Sequence, residues 1–264
     1  MKLGFFDIDG TLISRDLRVS SRLPAALEQL RANGHKAFIS SGRTKVLAHD
    51  PLLSGIEFDG VVSGCGSLIE YRGDVLFYKT VPTDLAVMAL DVFKKNKVLP
   101  ILEGKDFIYF DENNALPLVP FRPDLKRNLG DKLLSLNSNF GKWEFSKFSC
   151  LTAPNISDVT DCIASLEKYF DFQIHNSAVF EMVTKGVNKG SAIKVICEKF
   201  GIDLADTFAI GDSINDLDML KTAGTAIAMA NAPEEVKAIV DYTTDLAEDD
   251  GIANALKHFK LIDF

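Results

Sequence analysis

The 264 residues are enough for one large or two medium domains, and 47% apolar with 25% charged residues is an ordinary globular composition. A formal net charge of −8 argues against an extended basic surface for nucleic acid. No apolar run approaches the roughly 18 residues of a membrane span, and the first residues lack the long apolar stretch of a signal peptide. We therefore expect a cytoplasmic protein that binds neither nucleic acid nor membrane.

The first part of the chain alternates short apolar strands with an amphipathic helix, a pattern typical of a parallel sheet covered on both faces. The predicted elements are a strand ending near Asp7, a helix capped by Ser20 or Ser21 and ended by Gly34, and strands at Lys36 to Ser41 and Gly60 to Gly64.

The pattern changes near Val81-Pro82, where a block of α+β character begins. Its predicted elements are a helix from Thr83 to about Lys95, strands at Ile101 to Glu103 and Phe107 to Asp111, a polar stretch from Asp124 to Asn139, strands near Phe145 to Thr152, a helix near Ile156 to Phe170, and a hairpin from Phe172 to Val183.

Strand and helix alternate again from Lys189 onwards. The elements predicted there are a helix from Lys189 to Phe200, a strand from Thr207 to Gly211, a helix near Asn215 to Thr222, a strand from Thr225 to Met229, and a helix after Pro233. The sequence therefore predicts an α/β core of residues 1–81 and 185–264, interrupted by an inserted α+β domain of residues 82–184.

Two carboxylates, Asp7 and Asp9, follow the first predicted strand two residues apart. In a strand such residues share a face. If the strand stops near Asp7 and turns through Gly10, both project from the edge at which open α/β sheets bind ligands. One acid can then be a nucleophile and metal ligand while the other transfers a proton. The alternative is an Asx-rich turn that caps the next helix.

Three further polar clusters follow other predicted strands or turns. Gly211-Asp212-Ser213-Ile214-Asn215-Asp216 offers carboxylate and amide oxygens that suit Mg²⁺, and Asp212 is expected to meet Asp7 across neighbouring strand ends. Ser41-Gly42-Arg43 offers a hydroxyl, backbone N–H groups and a cation for a phosphate oxygen. Lys189 stands at a helix start. Each alone is also consistent with a helix cap, a turn or a solvated lysine. Four such clusters are hard to explain by capping alone.

The ordered motifs resemble those of the haloacid dehalogenase superfamily, and the resemblance covers essentially the whole chain. The motifs are Asp7-x-Asp9-Gly-Thr, Ser41-Gly-Arg43, Lys189 and Gly-Asp212-x-x-Asn215-Asp216. The insertion and Lys185-Gly186-Val187-Asn188-Lys189-Gly190 resemble the Cof-type phosphatases of that superfamily. The resemblance implies a Rossmann-like core with an α/β cap, and a Mg²⁺-dependent phosphomonoester hydrolase for small phosphorylated metabolites, especially sugar phosphates.

The resemblance also implies roles for single residues. Asp7 would attack phosphorus to give a phosphoaspartyl intermediate, and Asp9 would protonate the leaving oxygen and then deprotonate the hydrolytic water. Ser41 and Lys189 would hold the transferring phosphoryl group.

Substrate and metal ligands are implied in the same way. The substrate-binding residues would be Ser41, Gly42, Arg43, Lys189 and Asn215. The Mg²⁺ residues would be Asp7, Asp9 through its backbone carbonyl, Asp212 and Asp216.

The chain departs from the family pattern at one place, where Gly64-Cys65-Gly66 replaces a common Asn-Gly. The four cysteines have no metal or disulfide spacing, so reduced thiols are expected. Two other functions remain open, a phosphomutase of the same superfamily and a non-enzymatic, receiver-like phosphate sensor. A monomer or a weak homo-oligomer is expected.

Overall fold

The computed structural model of the chain describes residues 1–48, 51–113, 129–152, 159–176 and 178–263. Part of the polar stretch predicted at Asp124 to Asn139 lies outside these residues, as does the start of the helix predicted near Ile156. The chain divides into two compact units. The first comprises Met1–Gly42, Ala48–Phe77 and Asn188–Phe264, and the second comprises Arg43–Leu47 and Tyr78–Val187.

The strands of the described residues are numbered in chain order. They are β1 (Leu3–Phe6), β2 (Lys36–Ser40), β3 (Gly60–Ser63), β4 (Leu68–Tyr71), β5 (Asp74–Tyr78), β6 (Val98–Glu103), β7 (Ile108–Phe110), β8 (Leu133–Ser135), β9 (Lys147–Thr152), β10 (Phe170–Asn176), β11 (Val179–Thr184), β12 (Thr207–Gly211), β13 (Thr225–Ala228) and β14 (Tyr242–Thr243).

The α-helices of the same residues are numbered in the same way. They are α1 (Leu23–Ala32), α2 (Lys45–Ala48), α3 (Thr83–Lys95), α4 (Thr160–Leu166), α5 (Lys189–Phe200), α6 (Leu217–Thr222), α7 (Glu234–Lys237) and α8 (Gly251–His258). None of the described helices is long and apolar enough to cross a membrane.

The first unit is built on a sheet with the strand order β14-β13-β12-β1-β2-β3-β4-β5. The strands from β14 to β3 pair in parallel, and β4 pairs antiparallel with β3. Because the parallel strands end at the same edge, residues that follow β1, β2, β12 and β13 lie along that edge. This edge therefore collects side chains from four distant parts of the sequence.

The sheet of the first unit is covered on both faces. All four residues of β1 are buried, as is typical of a central parallel strand. Phe6 packs in one apolar cluster with residues of α1 and α8, whereas Phe5 packs in another with residues of α5 and α6. Adjacent residues of a strand point to opposite faces. The predicted α/β class with a covered parallel sheet is therefore confirmed.

The second unit has a sheet with the order β10-β11-β9-β6-β7-β8, antiparallel except for the pair of β7 and β8. One of its faces packs against α3 and α4 in a core of its own. Phe148 lies at the centre of this core, with its ring centroid 5.3 Å from Phe93, 4.8 Å from Phe145 and 5.6 Å from Phe170. The α+β character predicted for the insertion is confirmed.

Helix α1 begins without the predicted serine cap. Its N-cap residue is Arg22, which makes no side-chain cap hydrogen bond. The hydroxyl of Ser20 instead donates to the carboxylate of Asp250 and accepts the backbone N–H of Arg22 at 3.1 Å. The acceptor capacity of this hydroxyl thus serves the N–H of Arg22, which lies before the first residue of the helix, and not an N–H of the first helical turn.

Six of the described strands and α-helices were not predicted, namely α2, β4, β5, β8, β14 and α8. The hairpin of β4 and β5 turns through Arg72 and Gly73, both at positive φ, as a tight hairpin requires, and Arg-Gly signals such a turn more weakly than Asn-Gly. Helix α8 buries Ile252, Ala255 and Leu256. Those residues have helical i, i+3, i+4 spacing, so a signal for α8 was present in the sequence.

The separate core of the second unit predicts a local response to core truncation. Phe148→Ala should lower the free energy of unfolding of this unit by about 3–5 kcal/mol, because it removes a fully buried ring and leaves a cavity. Trp143, the one tryptophan of the chain, is buried in this unit, so its fluorescence during urea denaturation measures the effect.

The matched control is Phe107→Ala in the same unit, where the side chain is 39% exposed and a much smaller loss is expected. An unchanged Trp143 transition in Phe148→Ala would contradict the existence of this core.

Candidate active site

Three buried carboxylates meet at the carboxyl edge of the parallel sheet. Asp7 directly follows β1 and Asp212 directly follows β12, and these strands are hydrogen-bonded neighbours. The backbone N–H of Asp7 continues the ladder by donating to the carbonyl of Ile210 at 3.1 Å. One oxygen each of Asp7, Asp212 and Asp216 lies within 4.8 Å of the others, as a shared metal ion requires. The structure thus brings Asp212 to Asp7.

Lys189 joins two of these carboxylates. It is the first residue of α5, whose start is fixed by a capping box: Asn188 Oδ1 accepts the N–H of Ser191 at 2.7 Å, and Ser191 Oγ accepts the N–H of Asn188 at 3.0 Å. The Nζ of Lys189 donates to Asp7 Oδ1 at 2.6 Å and to Asp216 Oδ1 at 2.7 Å, and the side chain of Lys189 is 1% exposed. The ammonium group is therefore buried, and two carboxylates compensate its charge.

Asp216 uses both of its oxygens within the protein. Its Oδ1 accepts a hydrogen bond from Lys189 Nζ. Its Oδ2 accepts hydrogen bonds from the backbone N–H groups of Asp212 at 3.0 Å and Ser213 at 3.1 Å. A Cβ on Gly211 would lie 2.6 Å from the Asp216 carboxyl carbon, so only glycine allows this approach. Asp216 therefore fixes both the turn that carries Asp212 and the position of Lys189.

The turn after β1 passes directly beside Asp212. Gly10 has φ +87, and a Cβ there would lie 2.2 Å from Asp212 Oδ2. Both the backbone conformation and the space therefore require glycine at this position. The turn is closed by the N–H of Gly10, which donates to the carbonyl of Ile13 at 2.7 Å, and Asp9 at its start is exposed. Asp9 is therefore accessible from solvent while Asp7 is buried.

Two residues that were assigned no role from the sequence contact Asp212. The amide of Asn231 donates to Asp212 Oδ2 at 2.7 Å and to the carbonyl of Gly10 at 3.2 Å. Arg15, with a side chain 72% exposed, lies 3.8 Å from the same oxygen. Asn231 stands three residues beyond β13, so its place at the carboxyl edge was the signal available in the sequence.

The donor set fits a hard divalent cation. Asp212 Oδ1 is buried and has no hydrogen-bond partner among the described residues, although a carboxylate oxygen normally accepts a hydrogen bond when buried. A metal ion would satisfy it, and oxygen ligands are those that Mg²⁺ prefers. The residues present at this edge thus fit the predicted metal.

The proton affinities follow from burial and crowding. Burial, followed by the charge of Asp216, raises the pKa of Asp7 from 3.8 to about 7, against the opposing charge of Lys189. Burial and Asp216 also raise the pKa of Asp212 from 3.8 to about 6, against Arg15 and Lys189. Burial alone would lower the pKa of Lys189, but Asp216 and Asp7 hold it above its usual range. The carboxylates therefore repel one another, and the lysine stays charged.

Three of the remaining predicted residues, Ser41, Gly42 and Asn215, follow strands of the first unit. Ser41 is fully buried directly after β2, where its N–H donates to Val62 at 2.8 Å and its carbonyl accepts the N–H of Cys65 at 3.1 Å. Gly42 follows it in the first unit, and Arg43 belongs to the second unit. Asn215 accepts the hydroxyl of Ser213 at 2.6 Å within its own turn.

Cys65, at the departure from the family pattern, is buried and adopts φ +57, a conformation that asparagine tolerates better than most residues. Its sulfur lies 3.8 Å from the carbonyl of Gly42. The thiol therefore packs against the segment after β2.

The family model described as haloacid dehalogenase-like hydrolase matches residues 5–256. The chain therefore belongs to the haloacid dehalogenase-like hydrolases. A curated relative, the 5-amino-6-(5-phospho-D-ribitylamino)uracil phosphatase YcsE of Bacillus subtilis, is 28% identical over 99% of this chain and 96% of its own. The HMP-PP phosphatase of Yersinia enterocolitica is 27% identical over 98% of this chain and 95% of its own.

Among solved structures, the haloacid dehalogenase subclass IIB sugar phosphatase BT4131 is similar with a TM-score of 0.79 and 28% identity, covering 99% of this chain and 100% of that one. The predicted resemblance and the assignment as a phosphatase of this superfamily are confirmed.

The raised pKa of Asp212 predicts a pH-dependent stability of the metal-free protein. Because the folded state binds this proton more tightly than the unfolded state, the stability it contributes is present below the unfolded pKa of 3.8 and is lost as pH rises through about 6. Asp212→Asn removes the charge, so in excess chelator it should exceed wild type in melting temperature at about pH 8, with a smaller difference at about pH 4.5.

Asp206→Asn, at an exposed site before β12, is the control and should show no such trend. A difference between Asp212→Asn and wild type that stays constant between these pH values would refute the assignment.

Proposed function

We propose that this protein is a Mg²⁺-dependent phosphomonoester hydrolase that acts through a phosphoaspartyl intermediate on small phosphorylated metabolites, sugar phosphates above all. The observation that carries the proposal is the buried carboxylate of Asp7, held by Lys189 at 2.6 Å beside the carboxylate of Asp212, whose Oδ1 has no hydrogen-bond partner within the described part of the chain. A buried, positioned carboxylate beside a fixed cation suits attack on phosphorus and stabilisation of the charge on its oxygens.

In the first step a carboxylate oxygen of Asp7 forms a bond to phosphorus while the bond from phosphorus to the leaving oxygen breaks. The carboxyl group of Asp9 gives its proton to that oxygen. In the second step water attacks phosphorus, Asp9 takes the proton of the water, and the bond to Asp7 breaks. The exposure of Asp9 supports this division, because both the leaving oxygen and the attacking water must reach its carboxyl group.

Lys189 has two tasks in this scheme. Its charge lowers the pKa of Asp7 against the burial that raises it, which favours the ionised nucleophile, and its donors stabilise phosphoryl oxygens together with the hydroxyl of Ser41. Gly42, Arg43 and Asn215 are proposed as further substrate-binding groups.

Mg²⁺ would be held by the side chains of Asp7 and Asp212 and by the backbone carbonyl of Asp9. When bound, it would neutralise the crowded carboxylates and the charge of the phosphoryl oxygens. Asp216 was predicted as a further metal residue. Since both of its oxygens already hold Lys189 and the turn at Asp212, we propose that it supports the metal indirectly.

We also propose that residues 82–184 form the substrate-specificity cap. The support is that most of the second unit is this insertion and that it has its own sheet and hydrophobic core. The names of the relatives support the proposed class of substrates. The relatives are named as phosphatases of a phosphorylated ribitylamino compound, of HMP-PP and, for BT4131, of sugar phosphates. The cytoplasmic location and the monomeric or weakly oligomeric state stay predictions.

The proposal is tested by a panel of phosphorylated metabolites, with phosphate release measured in Mg²⁺ and in excess chelator. Asp7→Asn should fall below about a thousandth of the wild-type rate, because it removes the nucleophile while keeping the shape. Asp16→Asn, a carboxylate with a side chain 75% exposed, should retain the wild-type rate.

Full activity in chelator, or an active Asp7→Asn, would reject the mechanism. Phosphate release from a hexose phosphate without a bisphosphate activator distinguishes the hydrolase from a phosphomutase. A phosphoenzyme that persists for minutes in wild type would instead support the phosphate sensor.

Asp9→Asn should differ in kind from Asp7→Asn. The aryloxide of an aryl phosphate leaves without being protonated, so the phosphoaspartyl intermediate should still form. Its hydrolysis should be slow, because the amide introduced at position 9 cannot act as a base. Acid quenching and mass measurement of the protein should then find phosphoenzyme in Asp9→Asn and none in Asp7→Asn. If neither variant accumulates it, the division of labour between the two acids is wrong.

A further inference from the structure

The two carboxylate oxygens of Asp212 have different surroundings. Oδ2 accepts the amide of Asn231 at 2.7 Å, whereas Oδ1 is buried and has no hydrogen-bond partner among the described residues. A carboxylate that could rotate freely would exchange these two oxygens. The oxygen that accepts a hydrogen bond from a fixed donor is the one that does not bind the metal. The residue that supplies this donor therefore also determines which oxygen of Asp212 binds the metal.

Asn231 is itself held in place by the backbone around it. The N–H of Met229 donates to the carbonyl of Gly211 at 3.0 Å, and the N–H of Ala232 donates to the carbonyl of Met229 at 3.0 Å. These bonds tie the turn after β13 to the last residue of β12, immediately before Asp212. The amide is therefore carried by a turn that is hydrogen-bonded to the strand end that carries the carboxylate.

The orientation of this amide follows from its two partners. Both the carboxylate of Asp212 and the carbonyl of Gly10 are acceptors, so the nitrogen of Asn231 and not its oxygen must face them. One side chain thereby links the turn that follows Asp9 to Asp212. These are the two turns that would carry ligands of the metal.

We propose that Asn231 is a positioning residue of the metal site, which turns Asp212 so that Oδ1 is presented to Mg²⁺ and holds the Asp9-Gly10 turn at the distance that the metal needs. The inference rests on the proposed function, because it presupposes Mg²⁺ at Asp212. Partners of this kind, which hydrogen-bond a metal ligand without touching the metal, typically change metal affinity about 10–100-fold when they are removed.

The test measures Mg²⁺ binding directly, by titration calorimetry of the metal-free full-length protein without substrate. Asn231→Leu keeps approximately the volume of the side chain but removes its donors, and Asn231→Ala removes both. Each should weaken Mg²⁺ binding about 10–100-fold. The melting temperature of the metal-free variants shows that they are folded.

The matched control is Asn254→Ala. Asn254 donates to the carboxylate of Asp245 at 2.8 Å in the same kind of pair, at an exposed place of the same unit. Its removal should leave the Mg²⁺ affinity within about twofold. An equal loss in Asn254→Ala would show that the effect is not specific to Asp212 and would overturn the inference.

Arg15→Gln separates geometry from charge. Arg15 lies 3.8 Å from Asp212 Oδ2 but is exposed, so it acts on the site through its positive charge. Removing that charge should tighten Mg²⁺ binding slightly, whereas removing the uncharged amide of Asn231 should weaken it. Opposite signs support a positioning role, and a loss of the same size in both variants overturns it.

Failure of the inference differs from failure of the proposed function. If wild type binds Mg²⁺ and both Asn231 variants bind it equally well or more tightly, the positioning role is wrong and the metal site stands. If wild type itself binds no Mg²⁺, the proposed metal site is wrong, and the inference is overturned with it.

Discussion

The rest of the site depends on the ion pairs between the buried ammonium group of Lys189 and the carboxylates of Asp7 and Asp216. An ammonium ion removed from water is costly, and it is tolerated at 1% exposure because two carboxylates accept its hydrogens at 2.6 and 2.7 Å. Without these two carboxylates the ammonium group would be an uncompensated buried charge, which typically costs about 3–5 kcal/mol. The lysine also joins the start of α5 to the residues that follow β1 and β12, so these hydrogen bonds fix the relative position of three elements.

The three buried carboxylates of the site carry more negative charge than the one lysine balances. Asp7, Asp212 and Asp216 carry three negative charges when ionised and Lys189 carries one positive charge, which leaves −2 among buried side chains. Burial, together with this excess, explains why the pKa values of Asp7 and Asp212 lie well above 3.8. A single divalent cation would balance it. On the proposed function, a bound metal would be a structural component as well as a chemical one, because its binding would stabilise the folded state by mass action.

The sequence predicted the parts of the site that depend on strand order and failed at those that depend on turn geometry. Asp7 and Asp212 follow apolar strands, and parallel strands align their ends, so their meeting could be predicted without coordinates. Asp216 accepts hydrogen bonds on both of its carboxylate oxygens, and Asn231 donates one to Asp212. These hydrogen bonds depend on the conformations of two turns and on side-chain rotamers, which the spacing of residues in the sequence does not reveal. The missing serine cap of α1 has a similar cause, since the local turn directs the hydroxyl of Ser20 to the N–H of Arg22, before the helix begins.

Space at the strand ends limits which residues can vary there. A Cβ on Gly10 or Gly211 would collide with the carboxyl group of Asp212 or Asp216, so these turns accept almost no substitution. The second unit is under a different constraint, because its described core of Phe148 and the surrounding rings shares no residue with the described apolar clusters of the first unit. On the proposed function, residues of the cap can therefore change with the substrate at a cost in the stability of that unit alone. The carboxylates and Lys189 stay in place because their positions are set by the parallel sheet, the turn after β12 and the start of α5, and not by the insertion.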